Sequence, residues 1–257
     1  MQKNNQKNNQ DLDLLKKIHV IYEDCDIVVL DKPSGLVINA AETQKDNVTL
    51  QDLIAVSDLL EEDEEYSEFK DRSGIVHRLD KDTSGIIIVA KNKLSFENLQ
   101  AQFKSRSVHK IYTTLVYGLI NDLKQGDTLE IDAPIARNPK NRQRFAVVES
   151  GKSAITKVKL IKIIKSKDEE FFSFIECYPL TGRTHQIRVH LTALGNPVVG
   201  DLLYSGRTRG KRDRHIFKRQ FLHASKIEFV HPTNKKIMIL ESKLPSDLND
   251  MLDYLSN

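Results

Sequence analysis

The run Gly85-Ile86-Ile87-Ile88-Val89-Ala90 holds no polar side chain and has the length of a strand. With no polar residue to turn towards water, it must be covered on both faces, which predicts a buried central strand. Shorter β-rich runs surround it. Residues 19–22 and 27–30 read as strands split by acidic turn residues, and the turn Asp31-Lys32-Pro33-Ser34-Gly35 leads to another short run at 36–38. Thr49 with Asp52 resembles a capping box. It opens a helix that carries Leu50, Leu53 and Ile54 inward, and Leu59 and Leu60 if the helix continues. The acidic stretch down to Glu68 reads as a loop, and Phe96, Leu99 and Phe103 recur at helical spacing.

β-branched and aromatic residues return across 110–132 and at 145–148. Residues 156–160 alternate like a half-exposed strand, and 171–178 form another. Thr184 reads as an N-cap, with Ile187, Leu191 and Leu194 on one face and Gly195 as the stop. Late strands at 222–230 and 236–241 precede a short amphipathic helix at 246–255. About ten strands and four helices, in no repeated βα order, predict an α+β fold: a largely antiparallel sheet with helices packed against it. Residues 1–17 are expected to be a solvated polar tail and 18–257 one domain, with no internal repeat or long linker.

No apolar run approaches the ~18 residues of a membrane span, and the first ten residues lack the apolar core of a secretory signal. Cys25 and Cys177 show no metal or redox spacing, so two buried free thiols in a reducing cytoplasm are expected. The net charge is only +3, but its distribution is uneven. An acidic run occupies 61–65. Arg207, Arg209, Lys211, Arg212, Arg214, Lys218 and Arg219 cluster late, and Arg137, Lys140, Arg142 and Arg144 form a second basic group. Each could be a solvated loop; together they suggest a phosphate-tracking surface.

The densest polar segment is His77-Arg78-Leu79-Asp80-Lys81-Asp82-Thr83-Ser84-Gly85, set against the buried strand. Asp80 suits a nucleophile or general base. A metal site of His77, Asp80 and Asp82 fits no standard ligand spacing, and a turn of capping side chains is the plain structural alternative. In Thr181-Gly182-Arg183-Thr184-His185-Gln186-Ile187-Arg188-Val189-His190, a helix start joined to two arginines favours an anion. A solvated basic helix would look the same. Tyr112, in Lys110-Ile111-Tyr112, reads as a core aromatic.

These segments resemble the RluA-type RNA pseudouridine synthase family over most of the chain. His77-Arg78-Leu79-Asp80 with Thr83-Ser84-Gly85 looks like its defining motif, and Asp31-Lys32-Pro33-Ser34-Gly35-Leu36 its early turn. Lys110 and Tyr112 with Gly118 look like the middle motif, and Gly182 to His190 the late one. Gly200-Asp201, Tyr204-Ser205-Gly206 and Leu222-His223-Ala224 fit the closing pattern.

The resemblance implies a sheet of the pseudouridine synthase type, with Asp80 as the catalytic carboxylate, Tyr112 against the target base and Arg188 as the basic partner of Asp80, Arg183 being second choice. Arg78 would help displace the target nucleotide or hold its phosphate. His77, Thr83, Arg183, His185 and Gln186 are expected around the substrate, and Arg142, Arg207 and Arg212 on flanking phosphates. RNA is the implied partner, acted on by a cytoplasmic monomer. No cofactor or metal is expected, since the isomerisation needs no redox change and the chain has neither GxGxxG nor a Walker-type loop. The motif wording is closest to members acting on large-subunit ribosomal RNA. Many relatives carry an S4-type domain where this chain has only a polar tail, which resembles shorter members that modify transfer RNA. An RNA-binding protein without turnover is the non-enzymatic alternative.

Overall fold

The computed structural model describes residues 17–39, 48–60, 67–120 and 123–256. Its strands are β1 (His19–Glu23), β2 (Ile27–Lys32), β3 (Ser84–Ala90), β4 (His109–Tyr117), β5 (Thr128–Asp132), β6 (Ile135–Arg137), β7 (Phe145–Val147), β8 (Ile155–Lys165), β9 (Phe171–Pro179), β10 (Leu222–Val230) and β11 (Ile237–Glu241). Its helices are α1 (Leu50–Ala55), α2 (Glu68–Asp71), α3 (Lys93–Ser105), α4 (Gln186–Ala193), α5 (Gly206–Ile216) and α6 (Ser246–Ser256). The fold is α+β, with its strands paired largely antiparallel.

The chain divides into two compact units. The first takes the residues up to Val108 and returns for Lys226–Ser242; the second takes His109–Ser225 and Lys243–Asn257. One crossing falls inside β10, so no linker marks it. The tail expected at 1–17 and the acidic run at 61–65 lie, save for Lys17, outside the described residues.

In the first unit β1, β2 and β3 pair antiparallel in that order. The whole of β3 is buried because its alternate residues enter two different cores. Ile86, Ile88 and Ala90 pack with Ile27, Val29, Phe96, Leu99 and Phe229, while Ile87 and Val89 pack with Val28, Leu30, Leu36, Leu50 and Ile54. The Thr49–Asp52 capping box is present with both reciprocal bonds, but α1 ends at Ala55, short of Leu59 and Leu60. Residues 36–38 are not a strand. The carbonyls of Val37 and Ile38 accept the first free N–H groups of α1, from Leu50 and Gln51, at 2.8 and 3.0 Å, so their hydrogen bonds go to a helix end.

In the second unit the order is β4-β9-β8-β5, all antiparallel, with a separate β6–β7 hairpin. Leu115, Val158, Leu160, Phe172 and Ile175 of this sheet share a core with Ile187 and Leu191 of α4 and with Leu248, Met251 and Leu255 of α6. Cys177 is buried as expected, but Cys25 is exposed, in the turn between β1 and β2. Among the described residues no helix is long and apolar enough to cross a membrane.

Candidate active site

In the first unit the Asp80 loop is held at both ends. Before it, Gly74 has φ +69°, and a Cβ there would sit 2.1 Å from the Ala90 carbonyl oxygen, so only glycine fits. Leu79, Thr83 and Ser84 are buried, Asp80 is half-buried and Arg78 is exposed. The Asp80 carbonyl accepts the Thr83 N–H at 3.1 Å, closing a turn.

Beneath the turn lies Lys32, 1% exposed. Its ammonium donates to the carbonyls of Pro33, Leu36 and Lys81 at 2.9, 2.9 and 3.0 Å. The Lys81 carbonyl also accepts the Gly35 N–H, and Ser34 donates to the Asp82 carbonyl. The early turn is therefore a clamp on the carboxylate loop. The sequence reading placed no role on Lys32, because a lysine is rarely buried and its three acceptors are not visible in a pattern.

His77 accepts the Ile88 N–H on Nε2 at 2.9 Å and stacks on Phe103 at 4.8 Å. That nitrogen presents a lone pair to a donor, which occupies it as a brace for β3.

The second unit holds Tyr112 and Arg188. Tyr112, on β4, is half-buried opposite Cys177, whose thiol is pushed far above its usual range by burial. Arg188, 6% exposed, donates through Nε and Nη2 to the two carboxylate oxygens of Asp201 at 2.7 and 3.0 Å. Its guanidinium lies over the Tyr204 ring, 5.0 Å from the centroid. Asp201 also accepts the N–H groups of Leu203 and Tyr204.

The Tyr204 hydroxyl accepts the Phe145 N–H at 2.9 Å and shares a hydrogen bond of 2.9 Å with His185 Nδ1, whose direction follows the histidine tautomer. His185 packs edge-on to Phe145 and Tyr204. The structure thus brings Arg188 and His185 together through Tyr204, and ties them to the turn end of the hairpin, beside the exposed turn that carries Arg142.

Thr184 is not the cap of α4. His185 occupies that position at φ +56° without a side-chain cap bond. Gln186 does the local work instead. Its oxygen accepts from the Thr181 hydroxyl and the Arg183 N–H, and its amide donates to the Ile155 carbonyl and Thr156 Oγ1. All four of its hydrogen-bonding positions are used inside the unit, which makes it a positioning residue for the Arg183–His185 turn. Arg183 is half-buried and donates to the Ser153 carbonyl.

The late basic stretch, expected as a loop, is largely helix α5. Arg207 is exposed on it, whereas Arg212 donates to both carboxylate oxygens of Glu170 at 2.9 and 2.7 Å. Arg219, just beyond, is buried against Asp247. Asp201 and Tyr204 went unrecognised as partners from sequence, although they lie in the closing pattern.

The family profile of RNA pseudouridylate synthase matches residues 26–193, a span that takes in Asp80, Tyr112 and Arg188. Ribosomal large subunit pseudouridine synthase D of Pseudomonas aeruginosa is 38% identical over 248 residues, covering 93% of this chain and 72% of that protein. The uncharacterized RNA pseudouridine synthase YlyB of Bacillus subtilis is 37% identical, covering 93% and 73%. Among solved structures, human RNA pseudouridylate synthase domain containing 1 aligns with a TM-score of 0.68 and 27% identity, over 94% of this chain and 95% of that one. The chain belongs to the RNA pseudouridine synthases, isomerases that act on RNA.

Proposed function

We propose that this enzyme isomerises uridine in large-subunit ribosomal RNA, as a cytoplasmic monomer, with Asp80 as its catalytic carboxylate. The reaction breaks the N1–C1′ bond, turns the base and forms a C5–C1′ bond, with the C5 proton lost to solvent and a proton taken up at N1. A carboxylate does this work best when held in place before the substrate arrives. The clamp of Lys32 on the Asp80 loop is the observation that carries the assignment. Tyr112 supplies an aromatic face for a base removed from its stack. Arg188, oriented by Asp201, is the candidate basic partner of the carboxylate, and exposed Arg78 suits the phosphate of the target nucleotide. His77 and Thr83 support the loop, and His185 the Arg188 face. The ribosomal substrate is supported by relatives named ribosomal large subunit pseudouridine synthase D.

Tritium release from RNA labelled at uridine C5 tests this, with unmodified ribosomal and transfer RNA side by side. Release from ribosomal RNA by the wild type and none by Asp80→Asn is expected. Preferential release from transfer RNA would overturn the substrate, and turnover by Asp80→Asn the role of Asp80.

A further inference from the structure

Helix α5 has two faces of opposite employment. Asp213, its one acidic residue, is fully buried; it accepts a hydrogen bond from the Tyr117 hydroxyl and another from the Gly200 N–H at 3.2 Å. Burial raises the Asp213 carboxyl, and burial with the Asp213 contact raises the Tyr117 hydroxyl, so both hold their protons more firmly than in water. Arg209 and Arg212 lie over the same Tyr117 ring, 4.8 and 5.4 Å from its centroid, and Arg212 also grips Glu170. Residues 209, 212 and 213 recur at helical spacing on the side turned to Tyr117, with Asp213 buried there and the two arginines exposed over the ring.

At 100° per residue, Arg207, Lys211 and Arg214 fall on the opposite side. All three are exposed, and none has an ion-pair partner among the described residues. Their i, i+4, i+7 spacing sets the cations along ~10 Å of helix, a length over which one nucleic-acid strand presents about three phosphates.

We propose that α5 is a phosphate-tracking RNA-binding helix that contacts the RNA backbone through Arg207, Lys211 and Arg214, while Arg209 and Arg212 tether it through Tyr117. This rests on the reading of the chain as an RNA-modifying enzyme, and moves Arg212 from RNA contact to tether. An outward stripe of cations without ion-pair partners among the described residues attracts phosphate without reading sequence. The contacts therefore add affinity for any RNA and leave the choice of uridine to the catalytic loops.

The test compares binding of a labelled single-stranded RNA of unrelated sequence across a salt series. It uses the wild type, the triple variant Arg207→Gln/Lys211→Gln/Arg214→Gln, the tether variant Arg209→Gln/Arg212→Gln, and a charge-matched control, Lys93→Gln/Lys104→Gln/Arg106→Gln. Thermal melts confirm folding. The outward triple should lower the slope of log affinity against log salt by about 2, at roughly 0.7 per phosphate contact, with the control unchanged. The tether variant should keep the wild-type slope. A slope unchanged in the outward triple, or lowered equally in the control or the tether variant, overturns the proposal. Tritium release by the wild type is read separately, so failure of the enzymatic reading is distinguished from failure of this one.

Discussion

Arg188 and Asp201 meet through two parallel hydrogen bonds of 2.7 and 3.0 Å with both side chains withdrawn from water. A fork of this kind fixes the plane of a guanidinium as well as its position. Asp201 in turn is held by two backbone N–H groups, so the orientation of Arg188 is set by the 201–204 turn.

Removing one partner of such a pair leaves a buried charge behind. Asp201→Ala should cost ~3–5 kcal/mol in urea denaturation. The double change Arg188→Met/Asp201→Leu should recover much of that stability and none of the turnover. A single variant within 1 kcal/mol of wild type would show that water reaches the pair.

Lys32→Met keeps most of the length of the side chain and leaves the Pro33 and Leu36 carbonyls without their donor, while the Lys81 carbonyl keeps only the Gly35 N–H. Each stranded acceptor costs ~1–3 kcal/mol, and the Asp80 loop loses its clamp. Melting should fall, and kcat should drop tenfold or more with little change in KM, because misplacement of the carboxylate is felt in the transition state. An unchanged kcat would mean that the loop holds its shape without Lys32.

Of the groups that give the stability of the fold an acid dependence, His190 and Asp24 act in separate windows. His190 is buried, with Nδ1 against Thr156 Oγ1 and Nε2 against the Ala133 carbonyl, and burial lowers its readiness to take a proton. The unfolded chain takes that proton near pH 6.5, so stability is full above ~6.5 and declines as pH falls below it. Asp24 behaves as a carboxylate: burial pushes it up, but the N–H groups of Ile27 and Asp26 with Tyr22 and His231 hold it down to about 2. Its contribution is present above ~4 and is lost as pH falls towards 2. Urea midpoints from pH 8 to 3 should show both declines. His190→Gln should flatten only the first, and Asp24→Asn should reduce only the second, which Asp26 and Asp247 also carry.

The two thiols should separate cleanly. Cys25 is exposed but sits beside Asp26 and Asp24, whose charge raises its thiol, so alkylation at neutral pH should be slow and limited to one site per folded molecule. Cys177 should react only after unfolding, as intact mass would show. Two rapid additions to the folded protein would place Cys177 within reach of solvent.

Local pattern revealed those parts of the fold that local pattern specifies. The apolar run of β3 and the capping box at Thr49 need only neighbouring residues, and both were legible. Residues 36–38 looked like a strand because they are apolar, but their carbonyls found a helix end that no periodicity marks. Thr184 looked like a cap until Gln186 took over from inside the helix. The Asp80 segment stood out as polar chemistry beside buried apolar residues. What braces it did not, since Lys32 lies 49 positions from Lys81, a separation that only folding closes.

The crossing inside β10 has a consequence for synthesis. Ile227 and Phe229 complete the core of the first unit, yet they are made after nearly all of the second. The second unit in turn waits for Leu248, Met251 and Leu255. On the ribosome neither unit can close early and stand as a finished half, as successive domains on a chain usually do. The cores behind the carboxylate loop and the arginine face thus both wait on one late stretch, from Ile227 to Leu255.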